Sequence, residues 1–159
     1  MGENAARPRL SVIVPAFNAA RTISQTLESL QAQTMTDWEA VVVSDGSTDL
    51  TYNIARAFGE RDPRIWAIDL PKNEGAARAV NRALPWPVTQ GKYLMVLAAD
   101  DYLLKDFAEK CVAALEADQM APGVYTNYIE WYEAEGIKKV HRCPTFDRKT
   151  LLTRDFVNF

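Results

Sequence analysis

The chain has no apolar run near the ~20 residues that a membrane-spanning helix requires, and Met1 to Arg9 hold no hydrophobic core of a secretory signal. It has two cysteines, Cys111 and Cys143, and one histidine, His141, which is too few for a disulfide framework or a zinc cluster. The cysteines therefore read as free thiols in a reducing compartment. His141, between Val140 and Arg142, reads as a loop or strand-end residue. No Gly-x-Gly-x-x-Gly follows the first apolar run and no Walker A loop occurs, so the dinucleotide fingerprint and the P-loop are both missing. The formal net charge of -3 argues against a nucleic-acid-binding face. Repeats, low-complexity tracts and long linkers are also lacking.

What is present is a globular composition, 48% hydrophobic and 25% charged over 159 residues, enough for one domain with a core. Residues 1–9 are expected to be loose and residues 10–159 to form the domain. Leu10 to Pro15 is a β-branched apolar run read as a buried strand ended by proline. Asn18 begins a turn. Ile23, Leu27 and Leu30 give one apolar face to a helix over Ala19 to Gln33. Trp38 to Val43 is a second strand, and Ser47 or Thr48 could cap the helix that follows and stops at Gly59. Arg64 to Ile68 is a third strand, Asn73-Glu-Gly75 a turn, and Ala76 to Leu84 a helix stopped by Pro85. Tyr93 to Ala99 is an unalternating apolar run, as expected of a strand buried on both faces. Alternating strands and helices predict an α/β fold with a mainly parallel sheet and helices on both faces. A fourth helix over about Lys105 to Ala117 precedes a hairpin, Val124 to Tyr132 and Ile137 to Val140.

In such a sheet three strand ends meet at one edge, the place where open α/β folds bind ligands. They bring Pro15-Ala16-Phe17-Asn18, Ser44-Asp45-Gly46 and Asp100-Asp101 together. Phe17 offers a stacking face for a base, or packs in the core. Asp45 can accept a hydrogen bond from a base N–H, or simply forms a turn with Gly46. Two adjacent carboxylates need a partner. A hard divalent cation carrying phosphates would serve, and so would the N-terminus of a helix beginning near Leu104.

Four stretches, Ser11-Val-Ile-Val-Pro-Ala-Phe-Asn18, Ser44-Asp-Gly-Ser-Thr-Asp49, Asn73-Glu-Gly75 and Gly91 to Asp101, resemble in order and spacing the motifs of family 2 glycosyltransferases of the GT-A fold. The resemblance is strong over about Leu10 to Asp106 and weaker over the hairpin. It implies an inverting transferase that uses a nucleotide-diphosphate sugar and Mg2+ or Mn2+. By position it implies nucleotide contacts from Pro15, Ala16, Phe17, Asn18, Asp45, Gly46, Asn73, Gly75, Arg78, Ala99 and Asp100, and metal contacts from Asp100 and Asp101. Ser44 stands where the family has a first Asp, Ala98 replaces the first Asp of Asp-x-Asp, and Val80 stands where many members have Arg.

The expected donors are of UDP, dTDP or GDP type. The acceptor, whether saccharide, lipid-linked or protein, is not specified by these motifs. A general base matching the family's is not found up to Phe159, since Glu130, Glu133, Glu135 and Asp155 do not match it, so the expectation is a donor-binding part whose base lies beyond Phe159. The expected location is the cytoplasm, with the inner membrane face as an alternative. Rival readings are a non-catalytic nucleotide-sugar-binding module and a sugar nucleotidyltransferase. The latter would want a Gly-rich basic loop after the first strand, where this chain has Asn18-Ala-Ala-Arg21.

Overall fold

The computed structural model describes residues 7–87, 89–132 and 135–143. The expectations placed on residues 1–6, on Glu133 and on 144–159, Asp155 among them, lie outside the described residues. The described chain falls into two compact units, divided after Val112.

The first unit is a four-stranded parallel sheet in the order β3-β2-β1-β4, with β1 Leu10–Ala16, β2 Trp38–Ser44, β3 Ile65–Asp69 and β4 Tyr93–Val96. Helices α1 Ile23–Gln31, α2 Thr51–Gly59 and α3 Ala76–Ala83 alternate with the strands. The period of two along a strand divides the apolar residues between two cores. Val12, Val14, Ala40 and Val42 face one core with Ile23, Leu27 and Leu30 of α1, Ala55 of α2, and Ala108 and Val112 of helix α4, Phe107–Ala117. Ile13, Val41 and Val43 face the other, covered by Ala79 and Ala83 of α3. Those two alanines are four apart, on one side of the helix, and their small size lets α3 lie close on β1 and β2. Each fully buried Val, Ile or Leu contributes about 1.5–3 kcal/mol by leaving water.

The strand runs were legible, but several bounds shift. β1 continues through Pro15 to Ala16. The first helix is shorter than expected, Ile23–Gln31, and α4 begins at Phe107 rather than near Leu104. Neither Ser47 nor Thr48 caps α2. The Asp49 carboxylate instead accepts the Thr51 N–H at 3.0 Å, and the Thr51 hydroxyl bonded to it lowers the Asp49 pKa. The largest correction concerns Tyr93 to Ala99. Only Tyr93–Val96 is strand, and among the described residues it lies at the sheet's edge with Leu94 and Val96 exposed, so it is not buried on both faces. Its entry is tightly specified. A Cβ on Gly91 would come within 2.4 Å of the Ser11 N, and the Gly91 N–H instead donates to Ser11 Oγ at 2.7 Å.

The second unit contains the expected hairpin, β5 Tyr128–Tyr132 paired antiparallel with β6 Ile137–His141. His141 is indeed a strand end, stacked on Tyr128, and both cysteines are free. Among the described residues no helix is long and apolar enough to cross a membrane.

Candidate functional site

Parallel pairing brings the carboxyl ends of β1, β2 and β4 to one edge. Ala16 is level with Ser44, and the ladder ends with the Asp45 N–H donating to the Ala16 carbonyl at 2.8 Å and the Leu97 N–H to the Ile13 carbonyl at 2.9 Å. The loops that leave these ends therefore start side by side, as the sequence led one to expect.

The loops after β1 and β2 are bonded to each other. Asn18 takes a left-handed backbone conformation (φ 50), which asparagine tolerates better than most residues, and its Oδ1 accepts the Thr48 N–H at 2.9 Å. The Asn18 N–H donates to Ser47 Oγ at 3.1 Å, and the Ala20 N–H to Asp49 Oδ2 at 3.0 Å. Phe17, between Ala16 and this junction, keeps 51% of its surface exposed, so its ring is not packed in the core.

Asp45 is buried and holds the Asn73-Glu-Gly75 turn. Its Oδ1 accepts the Glu74 N–H and its Oδ2 the Gly75 N–H, each at 2.8 Å. A carboxylate offers about four lone-pair directions, so both oxygens keep capacity for a further donor. Gly46 is required beside it. Its φ is +65, and a Cβ there would lie 2.3 Å from the Asn73 N and the Lys72 carbonyl carbon. Asn73 Oδ1 accepts the same Gly75 N–H at 3.0 Å, and Gly75 (φ 90) opens α3 with free space where a side chain would stand. Asp45, Gly46, Asn73 and Gly75 thus form one contact group. Arg78 stands exposed in the first turn of α3, and its charge helps lower the Glu74 pKa.

Three features escaped the sequence reading. Arg82 holds Glu74 with two hydrogen bonds, at 3.1 and 3.0 Å, and this pairing is the main cause of the lowered Glu74 pKa. Ser44 donates to Asp69 Oδ1 at 2.8 Å, which places an acid of β3 next to the position where the resembling motif has its own. Finally, polar side chains on α1, with Gln33 just beyond its end, fix the acid-pair segment. Thr26 Oγ1 donates to the Ala99 carbonyl at 2.9 Å, Ser29 Oγ accepts the Leu103 N–H at 3.1 Å, and Gln33 bonds both the Leu104 carbonyl and the Ala108 N–H at 2.9 Å. Thr26 and Ser29, three apart on the helix, lie on one side of it.

Asp100 and Asp101 are exposed and lie within this segment, between the contacts at Ala99 and Leu103. Partial desolvation and the neighbouring Asp100 charge raise the Asp101 pKa. They do not cap α4, which starts six residues after Asp101. Among the described residues no group of three or more His, Cys, Asp or Glu could hold a metal ion. A cation at this pair would need donors from elsewhere, and phosphate oxygens suit a hard divalent ion held by one or two carboxylates.

The family model described as Glycosyl transferase family 2 matches residues 11–157. The chain belongs to this family. A putative teichuronic acid biosynthesis glycosyltransferase of Bacillus subtilis is 40% identical over 104 residues, which are 65% of this chain and 40% of that protein. A chondroitin synthase of Pasteurella multocida is 33% identical over 147 residues, 92% of this chain and 15% of that one. Among solved structures, a mannosyltransferase from Pyrobaculum calidifontis in complex with GDP-Man and Mn2+ is 29% identical with a TM-score of 0.63, over 74% of this chain and 34% of that one. The chain spans less than half the length of each. Its parallel sheet is the one expected of the family's GT-A fold.

Proposed function

We propose that this domain binds the nucleotide diphosphate of a sugar donor across the carboxyl edge of its sheet and serves inverting transfer of the sugar to a saccharide, lipid-linked or protein acceptor. The observation that carries this reading is the grouping at one edge of an exposed aromatic ring, Phe17, a clamped acid, Asp45, and an exposed acid pair, Asp100 and Asp101. The base would stack on Phe17 and offer an N–H to a free lone pair of Asp45. The Gly75 turn and Arg78 would face the phosphates. Asp100 and Asp101 fit a Mg2+ or Mn2+ ion, and such an ion, when bound, neutralises charge on a diphosphate leaving group. The mannosyltransferase with GDP-Man and Mn2+ supports the donor class and the ion by likeness.

Calorimetry and thermal shift with UDP, dTDP, GDP and CDP, each with Mn2+ or with EDTA, test the reading. A nucleotide at ~100-fold excess over its dissociation constant stabilises the fold by roughly 2.7 kcal/mol. The expected result is a larger shift with Mn2+, lost in Asp100→Ala. Uracil, thymine and guanine present an N–H to Asp45, whereas cytosine presents a lone pair, a mismatch of about 1–3 kcal/mol. Tightest binding of CDP would refute the base contact, and equal shifts in EDTA and Mn2+ would refute the ion.

A further inference from the structure

Outside the donor edge, the hairpin of the second unit sorts its side chains by charge as well as by polarity. Directly opposed residues share a face, so Tyr128, Glu130 and Tyr132 lie with His141, Lys139 and Ile137, while Ile129 and Trp131 lie with Val140 and Lys138. On the first face Glu130 is fully engaged. It accepts the Tyr132 hydroxyl at 3.1 Å and pairs with His141 Nε2 at 2.8 Å, and these contacts lower its pKa, His141 first. Glu130 is the only acid among the described residues of β5 and β6.

Among the described residues of the two strands, the second face therefore holds no acid. It presents Ile129, Trp131 and Val140 at 49%, 45% and 62% exposure, with the Lys138 ammonium 4.4 Å from the Trp131 ring centroid, and Arg142 follows directly after β6. Aliphatic side chains exposed to this degree gain from leaving water, but they offer nothing to a sugar hydroxyl or a phosphate. Tryptophan prefers the level of lipid headgroups, and a lysine stem can lie along apolar surface while its charge reaches outward. Basic residues beside such a patch match the negative surface of an anionic bilayer.

We infer that the Ile129–Trp131–Lys138–Val140 face of the hairpin is a docking surface for an anionic membrane. This does not rest on the donor reading, because it uses residues of the second unit alone. Contact with the bilayer would be reversible, since a few apolar side chains and two cations give marginal affinity unaided.

Co-sedimentation of the 159-residue chain tests it, with vesicles of phosphatidylcholine alone and of phosphatidylcholine mixed with phosphatidylglycerol. The expected result is pelleting with the mixed vesicles only, weakened by salt. Each cation near the surface is expected to change the partition about fivefold, so Lys138→Gln with Arg142→Gln should lower it roughly 25-fold. Ile129→Ser with Val140→Ser should lower it at any salt concentration. Unchanged circular dichroism and an unchanged nucleotide-induced thermal shift would show that these variants remain folded and keep their donor edge. Equal pelleting of variants and parent would overturn the inference, as would equal binding to neutral vesicles. Retention on an acidic polysaccharide matrix without vesicle binding would also overturn it, reassigning the face to an anionic glycan.

Discussion

At the carboxyl edge of the sheet, Asp45 directly follows β2 and Asp100 comes four residues after β4, and their surroundings differ in kind. Asp45 is buried, has an amide donor on each oxygen, and sits next to a glycine that no other residue could replace without moving backbone. Asp100 is exposed and stands beside a second carboxylate whose proton affinity it raises. The first region is finished by the protein itself. The second is finished in its backbone, through the α1 hydroxyls and Gln33, but its side chains remain in mutual repulsion. In the proposed function the first part would set where the nucleotide lies, and the second would gain from the cation's charge.

The comparison breaks most visibly at Gly46. Alanine there would drive a Cβ into the Lys72–Asn73 backbone and hold a left-handed φ, a combined cost of about 2–4 kcal/mol. Urea unfolding should register that loss, and nucleotide binding should fall with it because the Asn73-Glu-Gly75 turn must shift. Asp45→Asn is milder. An amide has one acceptor oxygen where the carboxylate had two, so one of the two N–H groups meets an NH2, and about 1–3 kcal/mol is expected to be lost. A stability equal to the parent's in either variant would mean that the turn is not held in this way.

A third acid calibrates the scale, because it is bonded like Asp45 but belongs to another part of the sheet. Asp62 accepts two hydrogen bonds from the Arg64 side chain, at 3.0 and 2.8 Å, and one from Gln31 at 3.0 Å, while the Arg64 guanidinium stacks on Trp38 at 3.9 Å. The Arg64 hydrogen bonds, opposed by burial and helped by Gln31, hold the Asp62 carboxyl well below the usual carboxylate range. A depressed folded-state pKa contributes stability that is present above the unfolded value of about 3.9 and lost as pH falls through the acid range. Asp62→Asn is therefore expected to lower stability by about 2 kcal/mol near neutrality and to flatten the acid limb of a stability–pH curve. Parallel curves for parent and variant would contradict the sign.

How much of this was legible depended on the range of the interaction. The strands of β1 and β2 were plain because β-branched runs buried on both faces leave little ambiguity. Asp45 and Gly46 could be picked out as turn and ligand residues, but not their hold on residues 72–75, because nothing local encodes a contact across nearly thirty positions. Leu97 to Ala99 looks like strand from composition, yet it leaves the sheet after the Leu97 bond to Ile13. Its Ala99 carbonyl is taken by Thr26, a helix hydroxyl whose burial spacing alone did not reveal. The edge position of β4 was also hidden, since an apolar run has the same composition whether or not a further strand or helix covers it.

The smallest expected effect on the unliganded protein is the most informative about the acid pair. Asp100→Asn removes one of two adjacent like charges and breaks no hydrogen bond among the described residues, so the unliganded stability is expected to stay within about 0.5 kcal/mol of the parent's, with any change toward greater stability. The same substitution should abolish most of the extra stabilisation that Mn2+ adds to a bound nucleotide diphosphate, because a neutral amide is a poor ligand for a hard cation. Thermal unfolding of parent and variant, alone and with UDP or GDP in Mn2+ or EDTA, separates the two effects in one series. A clear loss of unliganded stability would place Asp100 among the structural acids with Asp45 and Asp62. An unliganded protein left intact, with the Mn2+ increment gone, is the result that a charge pair awaiting its counter-ion requires.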